Sequence, residues 1–74
     1  MDDLDKFIAL AGEWHPVRDA MREAQLELDL KCVSFLQGKG PPPIRKELEH
    51  VFDLRFLESR KRQEMDKLIA KLTD

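Results

Sequence analysis

Tyrosine is absent, cysteine occurs once and glycine only three times in these 74 residues. The single thiol, Cys32, cannot close an internal disulfide, and no set of Cys and His at zinc-ligand spacing accompanies it. So few glycines, with no tyrosine, argue against an all-β barrel and against an enzyme core that cradles phosphate on glycine-rich backbone. No uncharged apolar run is long enough to cross a bilayer, and no basic-then-apolar signal segment opens the chain. Charge of one sign is not in large excess either. Thirteen basic and 15 acidic side chains leave −2 at pH 7, too balanced for the basic field that draws nucleic acid. Hydrophobic residues at 42% and charged ones at 38% exclude a disordered polyelectrolyte. What remains is one small domain, expected in the reducing cytoplasm, with no cofactor or metal and no membrane partner.

A chain this short buries only about 60–65% of the surface its unfolded form exposes, and apolar burial then roughly balances conformational entropy. Without disulfide or metal it needs very regular helix packing or a partner. Size alone therefore predicts a homodimer or a larger protein partner. Residues 1–37 carry four basic and eight acidic side chains, whereas residues 38–74 carry nine basic and seven acidic. Two halves of opposite sign suit two elements lying side by side.

The strongest punctuation is Gly38-Lys39-Gly40-Pro41-Pro42-Pro43. Glycine supplies the left-handed backbone that closes a helix, and the last proline suits the first position of a new one. Helices are thus predicted over about 3–37 and 43–73, joined by a turn at 38–42. Before the turn, Phe7, Leu10, Trp14, Val17, Met21, Ala24, Leu28 and Phe35 keep a heptad seam that no strand produces. Pro16 removes the hydrogen bond to Gly12, so this helix is expected to kink or break between residues 12 and 16. After the turn, Ile44, Leu48, Val51, Phe52 and Phe56 form one apolar face, and Met65, Leu68, Ile69 and Leu72 another. Between them, residues 58–64 hold no apolar side chain, a polar waist through which the helix runs on. Glu27 with Lys31 and Glu58 with Arg62 have the favourable i,i+4 order, and Asp2 or Asp3 is placed to cap the first helix.

The predicted fold is all-α: an antiparallel helical hairpin with a kinked or broken first helix, dimerising into a four-helix-bundle-like assembly. Folding at the turn is expected to pair positions whose numbers sum to roughly 81. That register sets Trp14 near Met65 to Leu68 and the waist against Ala20, Met21 and Ala24.

No catalytic residue stands out. His15 and His50 fall toward opposite ends of the hairpin, and Ser34, Ser59 and Cys32 have no histidine at helical spacing. Glu47 and His50 make only half a metal site. Cys32 reads as a small core hydrophobe. The interface candidates are Trp14, a seam residue or an exposed anchor, together with Leu30, Val33, Phe52 and Phe56 as a patch seeking cover. Arg55, Arg60, Lys61 and Arg62 form the one basic cluster, which reads first as a solvated helix face partly paired with Glu23 and Glu27. The alternatives are contact with an acidic protein surface or, less well because Glu58 and Glu64 flank it, with RNA. The leading reading is a non-enzymatic protein-interaction module: a small regulator, adaptor or chaperone-like subunit. The alternatives are an RNA-binding hairpin dimer and a structural subunit of a larger assembly.

Overall fold

Two long helices pack against each other in a computed structural model that describes residues 2–73. Helix α1 spans Asp3–Leu36 and helix α2 spans Arg45–Thr73. Asp2 caps α1 by accepting a hydrogen bond from the Asp5 N–H at 2.9 Å, and Asp3 and Asp5 place negative charge in its first turn. The helix is continuous through Gly12 and Pro16, so the break is not realised. Here the seam keeps its phase across the proline, and packing outweighs the lost hydrogen bond.

Gly38 ends α1 with φ +72. The Lys39 N–H reaches the Ser34 carbonyl at 2.9 Å and the Gly38 N–H reaches that of Phe35 at 3.0 Å, the paired closure expected around a left-handed glycine. Helix α2 starts two residues beyond Pro43. Ile44 takes the capping position, its N–H bonded to Glu47 Oε1 at 3.2 Å and its carbonyl to the Glu47 N–H at 3.0 Å. Glutamate at the third helical position reaches back to the cap in this way only when the cap residue keeps its N–H, which proline lacks.

The helices meet along α1 positions Trp14, Val17, Met21, Ala24 and Leu28, and α2 positions Val51, Leu54, Glu58, Lys61, Met65 and Leu68, all buried or half-buried. Val51, 4% exposed, is the most enclosed side chain and Leu28 the next apolar one. The register differs from the expected one. Trp14 meets Glu58, Glu13 meets Lys61 and Lys31 meets Glu47, pairs whose numbers sum to 72, 74 and 78, a displacement of roughly one to two helical turns. The connecting segment causes it. Gly40 folds back beside Ser34, whose Oγ would stand 3.1 Å from a Cβ at that glycine. Pro41, Pro42 and Pro43 then follow outside either helix, and a proline run favours an extended backbone of about 3.1 Å per residue, twice the rise of a helix. Helix α2 therefore begins well below the end of α1, and Leu36 is left 81% exposed.

Candidate functional site: the polar layer and the groove side

The polar waist enters the seam. Val51, Leu54, Glu58, Lys61, Met65 and Leu68 alternate spacings of three and four without a slip, so the two charged residues occupy contact positions. Glu58 is only 8% exposed, and its Oε1 accepts from Trp14 Nε1–H at 3.1 Å. Arg62 Nε approaches the same oxygen at 3.8 Å from the next turn, fulfilling the i,i+4 pairing. Lys61 Nζ reaches across to Glu13 at 3.4 Å. This crosslink, rather than small residues facing a solvated waist, joins the middle of the hairpin.

Trp14 is therefore a seam residue, half-buried, with the Arg18 guanidinium 4.9 Å over its ring and the His15 ring 5.1 Å away. Nearer the turn, Lys31 Nζ lies 2.6 Å from Glu47 Oε2 instead of pairing with Glu27. That Lys31 hydrogen bond first, and the Ile44 N–H second, hold the Glu47 carboxyl below its ordinary range.

Leu30, Val33, Phe52 and Phe56 are all exposed, and Leu26 joins them at 59%. The basic cluster does not gather on one surface. Arg60 lies 5.9 Å over the Phe56 ring, Lys61 and Arg62 engage Glu13 and Glu58, and Arg55 turns to a groove between the helices. That groove encloses about 240 Å³ and is lined by Met21, Arg22, Gln25, Leu26, Asp29 and Arg55. On its floor Gln25 Nε2–H donates to Asp29 at 3.0 Å, while Gln25 Oε1 is shut off from water with no donor among the described residues. His50 and Glu47 border a smaller cleft of about 70 Å³ on the opposite side, at Ala24, Leu28 and Val51. Cys32 is half-buried and unpaired. Among the described residues no three His, Cys, Asp or Glu side chains gather as a metal site, and no helix is long and apolar enough to cross a membrane.

Glu58 and the groove are the features that sequence reasoning missed. The signal for Glu58 was present: the heptad phase of α2, continued from Val51 and Leu54, lands on residues 58 and 61. The groove had no such signal, because its lining depends on the register that the prolines set. No family model, no curated protein and no solved structure matches this chain.

Proposed function

We propose that the chain is a non-enzymatic protein-interaction module, a small regulator, adaptor or chaperone-like subunit acting through the apolar surface its hairpin leaves uncovered. The observation that carries this reading is the exposure of Leu26, Leu30 and Val33 at helical spacing on α1, and of Phe52 and Phe56 on α2. Single exposed hydrophobes are ordinary, but a row of them along the outer side of each helix is surface that gains by being covered. Each large side chain transferred from water to an interface contributes about 1.5–3 kcal/mol. Three of the four cations in the basic cluster already face an acidic or aromatic partner within the chain, which favours a protein partner over phosphate.

Affinity capture from the native source with the wild-type chain and with a Leu30→Asp/Phe56→Asp variant tests the reading. A partner retained by the wild type and lost by the folded variant is expected. Identical captures by both, with no difference in self-association, would overturn it.

A further inference from the structure

Met21, Arg22, Gln25, Leu26 and Asp29 line the groove from α1. Arg55 lines it from α2 and repeats at spacings of three and four with Leu48, Phe52, Ser59 and Arg62. Residues repeating at this period share one side of a helix, so this stripe flanks the groove. We propose that this side binds a second copy of the chain, two hairpins stacking face to face about a two-fold axis parallel to their length, turns at the same end. This rests on the interaction reading above and names the partner of that face.

Surface area supports a partner of this size. The hairpin exposes 5801 Å², whereas a compact monomer of 8.7 kDa exposes about 4,700 Å². The excess of about 1,100 Å² exceeds the roughly 800 Å² that each partner gives to a standard interface. Charge favours the same pairing. This axis lays α1 of each copy over α2 of the other, opposing the half that is net −4 to the half that is net +2.

The register then fixes the contacts. Positions whose numbers sum to about 72–78 are level within a hairpin, and the axis keeps that relation between copies. The partner's Phe52 comes level with residues 20–26, along the groove. Its volume of about 240 Å³ exceeds the roughly 150 Å³ of a cavity that admits benzene. The partner's Leu48 comes level with Leu26, which also lines the groove. Gln25 Oε1, lacking a donor in the lone hairpin, marks the same floor as incomplete.

Light scattering and sedimentation equilibrium on the full chain test this, with circular dichroism confirming that each variant stays helical. The wild type should be a dimer at about 100 μM, near the concentrations at which modest interfaces persist. Phe52→Asp should raise the dissociation constant by at least about 30-fold, the loss expected of a central anchor. A wild-type monomer, or a dimer indifferent to Phe52→Asp, would overturn the proposal. A monomeric chain that still captures a partner through Leu30 and Phe56 would overturn the dimer alone and leave the interaction reading standing.

Discussion

Trp14→Phe is the sharpest probe of the hairpin's interior. It keeps an aromatic ring in the seam but removes the second ring of the indole, and with it the N–H that donates to Glu58 Oε1 at 3.1 Å. Glu58, 8% exposed, is then left with Arg62 at 3.8 Å on the rim of the site. A hydrogen bond to a charged group contributes about 1.5–3 kcal/mol, and the largely exposed Arg62 side chain replaces little of it. The expected cost is in that range, which for a domain of this length lowers Tm by about 4–8 °C per kcal/mol. Glu58→Leu works from the other side. It supplies the apolar residue that the seam period asks for, so its loss of the Trp14 bond is offset and the net change should be small. The double variant contains neither an orphaned carboxylate nor its donor. Urea unfolding followed by circular dichroism, at one protein concentration, should give a coupling of at least about 1 kcal/mol between the two sites. A coupling below about 0.5 kcal/mol would mean that the two changes simply add, and would refute the bond as a determinant of register.

Gly12 is open on all sides, with no atom within 4 Å of an added Cβ, so Gly12→Ala should stabilise α1 by about 1 kcal/mol in urea unfolding. Gly38→Ala, at φ +72, should cost about 1–2 kcal/mol by the same measurement. Pro16 lies inside α1, and Pro16→Ala should raise stability by up to about 3 kcal/mol; no change would contradict an interior position. Because the Glu47 carboxyl is a stronger acid folded than free, its contribution is complete above its ordinary value of 4.5 and is lost as pH falls through the lower folded value. Unfolding measured across that window should show Glu47→Gln flattening the acid limb, and an unchanged limb would contradict the Lys31 pairing.

The helices were legible because their signals are local. The 3,4 spacing of Phe7 to Leu28, the cap at Asp2 and the left-handed glycine at 38 each act within one or two turns. Register was not local. It follows from how far an extended Pro41–Pro42–Pro43 segment carries the chain back along α1, and that length is invisible in hydrophobic spacing. The site inherits the same division. Exposure of Leu30 and Val33 could be read from their distance off the seam. Phe52 and Phe56 read both as part of the apolar face of α2 with Val51 and as a patch seeking cover. Only the second holds, because the seam runs from Val51 to Leu54 and leaves them outside. The Trp14–Glu58 bond and the groove at Arg22, Leu26 and Arg55 exist only once the register is set. Composition misled at residues 58–64, where a polar stretch suggested solvent and the unbroken heptad phase places Glu58 inside.

The account turns on two groove-side faces closing with their turns together, and one distance tests it. A spin label on Lys39→Cys in a Cys32→Ala background places one probe on each turn, beside Gly38. With helices packed at about 8–10 Å between axes, turns at the same end give an electron–electron distance below about 30 Å. A distance near the hairpin's 54 Å long dimension would put the turns at opposite ends, and the absence of any dipolar signal would mean no dimer. Either result would contradict the account; a single short distance, lost in Phe52→Asp, is the result it predicts.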